Sequence, residues 1–262
     1  MDALLYSSDL SVRQRSALPA DVSPCDRLFQ KLAKASGINI DGLRPLLRNE
    51  LAYVCPQGKL LARAGDDASG PKILLSGWAC YQRILECGRR QIFSFVLPGD
   101  LLGNWSGRRR LQADIVAITP LLVLKASEFS WAVAQQGRYA ALADLLSEME
   151  MRQNDYLYQQ IQRLGSQTAV ERVCDLLHEL FVRLRDAEQN SEPDLSFPLT
   201  QETLADALGM TSVHINRVLQ QMQREGLLSL GRGRLTVYPR QNDLLRKKRT
   251  NLTTIKEHAP RA

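Results

Sequence analysis

PLTQETLADALGMTSVHINRVLQQMQREGLLSLGRGRLTVYPR, residues 198–240, decides how the chain is read. Thr200 is placed to cap a helix, because its hydroxyl satisfies a free backbone N–H. Thr203 stands where a full capping box has Glu or Gln, so the cap is partial. The first helix runs to about Leu208, and Gly209 ends it with a positive φ. Thr211 or Ser212 caps a second helix that runs to about Glu225, where Gly226 stops it. Ala205 is small where the helices must cross, and Leu204, Leu208, Ile215 and Val218 fill the angle between them. Two short helices joined by a tight glycine turn make a helix-turn-helix. LLSL and RLTVY then read as a strand pair around GRG, with Arg232 at the tip and Arg234 at the edge.

A helix-turn-helix with a basic wing is a device for reading double-stranded DNA. The expected DNA-facing residues are Thr200, Gln201, Thr211, Ser212, Val213, His214, Asn216, Arg217, Arg232 and Arg234. Arg217 is the expected base reader, since a guanidinium bridges guanine O6 and N7. Ser212 and His214 lie near the helix N-terminus, where the dipole favours phosphate. Val213 suits a thymine methyl.

Upstream the texture differs. From Leu51 to about Lys125, short apolar runs such as KILLSGWACYQRIL and DIVAITPLLVLKA alternate with glycines. That pattern predicts an antiparallel barrel or jelly roll. Tyr139–Leu164 has no Pro or Gly and predicts one long helix. Its stripe, including Leu142, Leu146, Met149 and Tyr156, predicts packing on its own domain together with pairing to a second copy. Val173, Leu176, Leu177, Leu180 and Leu184 share a face of the next helix. The expected fold class is α+β: an N-terminal antiparallel β-roll, a long dimerisation helix and a C-terminal winged helix-turn-helix. The expected divisions are a flexible arm at 1–25, a sensor roll at 26–138, the dimerisation helix at 139–165, the DNA-binding domain at 166–240 and a basic tail at 241–262.

Composition narrows the function classes. With 262 residues, 44% of them hydrophobic, the chain fills more than one ordinary core. No apolar run approaches the ~20 residues that cross a bilayer. MDALLYSSDLSVRQRS lacks a basic start followed by an apolar segment, so the cytoplasm is the expected compartment. The net charge of +6 suits a polyanion partner, and RKKR at 246–249 concentrates it in the tail. The five cysteines, at 25, 55, 80, 87 and 174, include no Cys-x-x-Cys pair and read as reduced thiols. A Cys80–Cys87 redox switch is the disfavoured alternative. No nucleophile–base pair, phosphate-cradling loop or metal triad is visible, so an enzyme is not expected.

These features together resemble the Crp–Fnr family of bacterial transcription regulators. The likeness rests on LLSGWACYQRI (74–84), GRRQIFSFVLPGDLLG (88–103), AVERVCDLLHEL (169–180) and LTQETLADALGMTSVHINRVLQ (199–220). It implies a homodimer on a near-palindromic site, activating or repressing promoters, with RNA polymerase as a further partner. The family's base-reading positions fall on Ser212, Val213 and Arg217. Cyclic-nucleotide-responsive members carry Arg and Glu at the first two, so a different target sequence is expected here.

The resemblance also places a possible effector pocket at Gly103, Asn104, Arg110, Leu111 and Gln112. Nucleotide binders of the family have Gly-Glu where this chain has Gly103-Asn104. They have an arginine followed by Ser or Thr near Leu111-Gln112, and a shift of one residue would bring Arg110 there. Of the Arg89, Arg90 and Arg108–Arg110 cluster, a solvated loop is the favoured reading. The cysteine pattern does not match the iron–sulfur members, and nothing indicates a haem ligand. No resident cofactor is expected, with cyclic nucleotide the disfavoured alternative. A ligand- or redox-sensing module that acts through a protein partner, with little DNA binding, is the alternative function.

Overall fold

A computed structural model of the chain describes residues 28, 32–33, 37, 52–66, 72–103, 110–126, 137–187, 195–231 and 234–237. The expected arm, the basic tail, Cys25, Asn104, Arg108, Arg109 and Arg232 lie outside the described residues. Among the described residues of the N-terminal half there are eight strands: β1 (Ala52–Cys55), β2 (Leu60–Ala62), β3 (Lys72–Ser76), β4 (Ala79–Ile84), β5 (Arg90–Val96), β6 (Leu101–Leu102), β7 (Asp114–Ala117) and β8 (Leu121–Lys125). They pair as two four-stranded antiparallel sheets, ordered β1-β8-β3-β6 and β2-β7-β4-β5. Only the β4–β5 connection stays within one sheet; every other connection crosses, which makes a jelly roll. Leu74, Ala79, Val96, Leu102, Leu111, Ile115 and Val123 fill the space between the sheets.

The run KILLSGWACYQRIL is not one strand. It breaks at Gly77, with β3 in one sheet and β4 in the other. Gly77 has φ +88°, and a Cβ there would stand 2.2 Å from the Pro120 carbonyl oxygen. Trp78 closes the corner: its N–H donates to Thr119 Oγ1 at 2.9 Å, and its carbonyl accepts from Ile118 at 2.8 Å.

The C-terminal half begins with α1 (Ala140–Ser166) and α2 (Ala169–Ala187). Its 27 residues make α1 about 40 Å long. Thr168 and Glu171 form a capping box for α2: the Thr168 N–H donates to the Glu171 carboxylate, and the Glu171 N–H to Thr168 Oγ1. The expected buried face of α2, Val173 to Leu184, is buried. β9 (Leu195–Phe197), α3 (Gln201–Leu208), α4 (Ser212–Arg224), β10 (Ser229–Gly231) and β11 (Arg234–Val237) complete the chain. The wing is a three-stranded sheet, β10-β11-β9, rather than the expected pair. β9 is three residues long, too short to show a periodicity.

The stripe on α1 packs on its own domain as expected, but the four residues named for pairing are taken up by that packing. Leu142 and Leu146 are fully buried against Ile73, Leu101 and Leu124 of their own chain, and Met149 packs at the edge of that cluster. Tyr156 lies under the Arg183 guanidinium, 3.9 Å from the ring centre. None of these four is the exposed surface of the helix. The exposed apolar residues are Met151, Leu157, Tyr158 and Ile161. Helical periodicity marked an apolar face, but the roll covers it.

The two halves share one core. Trp78, Ile92, Phe95 and Leu97 of the roll pack with Leu176, Phe197 and Leu208. Trp78 meets Phe95 and Phe197 edge-on, with ring centres 6.2 and 6.0 Å apart.

Gly77→Ala is expected to lower unfolding stability by at least about 1–3 kcal/mol, from the left-handed backbone alone. The clash with Pro120 adds to that loss. Urea denaturation followed by tryptophan fluorescence measures it, and an unchanged midpoint would mean the corner relaxes freely.

Candidate nucleic-acid interface

Both helix caps form as the hydroxyls require. Thr200 Oγ1 accepts from the Thr203 N–H at 3.1 Å, and the two hydroxyls lie 2.9 Å apart, Thr203 taking the place of the missing carboxamide or carboxylate. Gly209 has φ +64°, and the Met210 N–H returns to the Ala205 carbonyl at 3.0 Å. Thr211, not Ser212, caps α4, accepting from the His214 N–H at 3.2 Å. Leu204, Ala205, Leu208, Ile215, Val218, Leu219 and Met222 are buried between the helices and the rest of the core.

That packing aims the remaining face outward. Thr211, Ser212, Val213, His214, Asn216 and Arg217 are all exposed, as are Thr200 and Gln201. Val213 is 72% exposed, although its side chain is wholly apolar. The first turn of α4 carries no acidic residue, so its dipole is not neutralised there. Gln201 Nε2 donates to Asn216 Oδ1 at 3.1 Å, tying the start of α3 to the middle of α4. Arg234 is exposed opposite Gly231, where β10 and β11 meet.

The face is held in place from behind. Gln160 Nε2 on α1 donates to the Ala207 carbonyl at the end of α3, and Arg172 on α2 donates to the Leu208 carbonyl at 3.2 Å. Arg90 on β5 pairs with Asp206 at 2.6 Å, so Arg90 belongs to the junction and not to a solvated loop. Deeper in, Arg163 is 1% exposed and donates to Asp175 at 2.9 Å, to Gln160 at 2.6 Å and to Glu179 at 2.7 Å. Arg183 donates to Glu179 at 2.8 Å, to the Phe95 carbonyl at 2.8 Å and to Asp100 at 2.7 Å. Burial opposes the charge on Arg183, but Asp100 and Glu179 outweigh it and raise its pKa above the usual arginine value. The sequence reading missed this set. Its signal was present: Gln160, Arg163, Asp175 and Glu179 are polar residues beside apolar stripes of two consecutive helices.

Four of the five residues expected for the effector pocket are described, Asn104 lying outside the described residues. Gly103 and Leu111 come together in the roll, where a Cβ on Gly103 would stand 4.0 Å from Leu111 Cδ2. The Gly103 N–H donates to Tyr81 Oη at 2.8 Å, and burial pushes the Tyr81 phenol up to about 12. Arg110 and Gln112 are exposed on either side of buried Leu111. Strand alternation corrects the one-residue shift: Leu111, not Arg110, points among the core residues. Arg83 donates to the Gln112 carbonyl at 2.7 Å and Gln112 to the Arg110 carbonyl at 3.1 Å, fixing the segment.

Cys55, Cys80 and Cys174 are buried thiols outside any disulfide, and Cys87 is exposed. Burial pushes the Cys80 thiol up to about 12. Cys80 and Ile84 lie four strand steps apart on β4, about 13 Å, with Cys87 further on in the turn. A bridge between Cys80 and Cys87 would need their Cα atoms within about 7 Å. The redox pair is therefore excluded in this fold. Among the described residues, no group of three His, Cys, Asp or Glu side chains is placed to hold a metal. No described helix is long and apolar enough to cross a membrane.

Comparison with known proteins bears on both halves. The Crp-like helix-turn-helix domain family matches residues 171–242, and the cyclic nucleotide-binding domain family matches residues 54–135. The chain is 29% identical to the transcriptional activator protein FnrL of Cereibacter sphaeroides, over 66% of this chain and 70% of that protein. It is 30% identical to the nitrogen fixation regulation protein FixK of Azorhizobium caulinodans, over 63% of this chain and 67% of that protein. Its fold is similar to the solved structure of FixK2 from Bradyrhizobium japonicum, with TM-score 0.65 and 24% identity, covering 76% of this chain and 96% of that one.

Thr211→Ala removes the cap of α4 and is expected to cost about 1 kcal/mol. Amide exchange should locate the loss in the first turn of α4, with the N–H of His214 losing protection first.

Proposed function

The chain belongs to the Crp–Fnr family and is a DNA-binding transcription regulator; we propose that it binds a near-palindromic promoter site as a homodimer and activates or represses transcription there. The observation that carries the reading is the outward face of α4: capped, free of acidic residues in its first turn, and centred on exposed Arg217. Arg217 reads guanine in the major groove. Val213 packs on a thymine methyl, and Ser212 and His214 meet phosphate at the helix N-terminus. Thr200 and Gln201 reach the backbone from α3, and Arg234 neutralises flanking phosphates, as does Arg232, which lies outside the described residues. RNA polymerase is the further partner, and the cytoplasm is the compartment.

The pairing surface is the exposed seam of α1. Met151, Asn154, Tyr158 and Ile161 recur at spacings of three, four and three, and all are exposed. That is the spacing of a coiled-coil seam, and Asn154 within it sets register. Regulation proceeds without cyclic nucleotide and without a resident cofactor. Leu111 supports this, because it occupies the roll interior where the family's nucleotide binders place a phosphate-neutralising arginine.

Selection of DNA from a random pool by the purified full-length protein, with and without cyclic AMP, tests the reading. One palindromic motif enriched equally in both conditions is expected. Enrichment only with cyclic AMP would overturn the nucleotide-free mode, and no motif in either would return the alternative of action through a protein partner. On the selected site, Arg217→Ala is expected to cost about 1–3 kcal/mol more than on random DNA. Arg234→Ala should weaken both alike and reduce the salt slope by about 0.9 per lost phosphate contact. Equal losses for Arg217→Ala would assign that residue to the DNA backbone. Ile161→Glu, at a position 66% exposed in the single chain, is expected to give a folded monomer in sedimentation velocity. An unchanged dimer would place the pairing surface elsewhere.

A further inference from the structure

The charge of this chain is not spread evenly along it. Residues 240–262 carry seven Lys or Arg against Asp243 and Glu257, and four of the seven are consecutive, Arg246, Lys247, Lys248 and Arg249. The 239 residues before them hold 27 basic and 26 acidic side chains, so five of the six net positive charges lie in the tail. The recognition elements are themselves nearly balanced. Within residues 200–237, Arg217, Arg224, Arg232 and Arg234 stand against Glu202, Asp206 and Glu225. Sequence-independent affinity for DNA comes essentially from phosphate neutralisation. A nearly neutral folded part supplies little of it.

The wing fixes where the tail starts. β10 and β11 turn back on each other where Gly231 stands opposite Arg234, the exposed edge assigned to flanking phosphate. β11 ends at Val237, which is buried and paired with Leu195 of β9. Val237 is three residues from Arg234, about 10 Å along the strand. Nine residues take the chain from Val237 to Arg246, and nine residues span at most about 30 Å. The four consecutive charges can therefore reach back past Arg234 by up to about 20 Å, the length of roughly six base pairs.

We propose that residues 246–249 are a second DNA-binding element, which neutralises phosphates outside those met by the wing and adds affinity without reading bases. Two of the four are Lys, a compact point charge that suits a phosphate and lacks the fork of a bidentate base contact. The tail then supplies the sequence-independent attraction, and α4 supplies the discrimination. The inference rests on the DNA-binding reading above, but the two fail separately. An unmodified chain that binds no DNA overturns both, whereas a tail substitution without effect overturns this one alone.

The test compares the full-length chain with a variant carrying Arg246→Gln, Lys247→Gln, Lys248→Gln and Arg249→Gln together. Both are titrated by fluorescence anisotropy onto a random-sequence duplex and onto the selected site, over a range of salt. The variant is expected to lose about 0.9 of salt slope per substituted charge, so a fourfold rise in salt costs the unmodified chain roughly a hundredfold more affinity for each engaged tail. The ratio of selected to random affinity is expected to stay unchanged. Arg246→Lys with Arg249→Lys keeps the charges and is expected to keep the slope, since a phosphate needs no fork. Hydroxyl-radical footprints of the unmodified chain should show flanking protection, over up to about six base pairs, that is absent with the four-Gln variant. An equal salt slope for that variant, or tighter binding by it, overturns the proposal. A fall in the ratio of selected to random affinity overturns it too, by making the tail a base reader. Loss of binding to phosphatidylserine vesicles with DNA affinity unchanged would assign the charges to a lipid surface instead.

Discussion

The double grip of Glu179 on two buried arginines holds the halves of this protein together. One carboxylate oxygen takes Arg163 from α1 and the other takes Arg183 from α2. Arg183 then reaches across to the Phe95 carbonyl and Asp100 of the roll. Removing such charges from water costs several kcal/mol per ion, and only dense hydrogen bonding offsets that cost. Replacing buried ion pairs by apolar groups of equal volume is often neutral or stabilising. The polar set adds direction: a guanidinium fork fits one arrangement of its carboxylates, where an oily contact tolerates several. Tyr156 under Arg183 restricts the arrangement further.

From this junction the DNA-facing surface follows by short steps. Gln160 is fixed by Arg163 through its carbonyl oxygen and donates through its nitrogen to Ala207. Ala207 is the penultimate residue of α3, and α3 packs on α4. Two hydrogen bonds thus connect a buried ion pair to α3, and the packing of α3 on α4 completes the link to the helix that carries Arg217. Arg90 with Asp206 and Arg172 with Leu208 close the same joint from the other sides. No long wire is needed, because the rigid elements already touch.

What the sequence disclosed and what it hid divide along physical lines. Helix ends were legible because Thr200, Gly209, Thr211 and Gly226 act on their own backbone within a few residues. The buried faces of α2, α3 and α4 were legible because periodicity is a local property. The assignment of Leu142 and Leu146 was not, since an apolar stripe announces burial without naming the partner. Within KILLSGWACYQRIL, Gly77 was legible as a break between strands, but nothing local tells that β3 and β4 lie in different sheets. Arg163 and Arg183 were passed over because charged residues are almost never fully buried unless paired, although their polar neighbours beside the stripes of α1 and α2 gave a signal. The reach of Arg183 to Phe95 and Asp100, more than eighty residues away, had no local signal. In the effector region, alternation around Leu111 was readable in principle, but the one-residue register was not.

The geometry of α1 sets a further constraint. One side of the helix is committed to the roll through Leu142, Leu145 and Leu146, and another carries Gln160 and Arg163 to the DNA-binding half. Only the remaining strip, with Met151, Tyr158 and Ile161, is open to a second copy. In a dimer closed along that strip, the distance between the two α4 helices is fixed by α1 and by the joint at Ala207. DNA presents successive major grooves about 34 Å apart along one face. A small rotation at the joint is magnified by the distance from the seam to α4, and it moves both recognition helices out of register at once. Specific binding by a dimer is therefore more sensitive to the buried polar junction than contact by a single α4 would be. In the proposed dimer, recognition would therefore depend on Arg163 and Arg183 behind the surface as well as on Arg217 upon it.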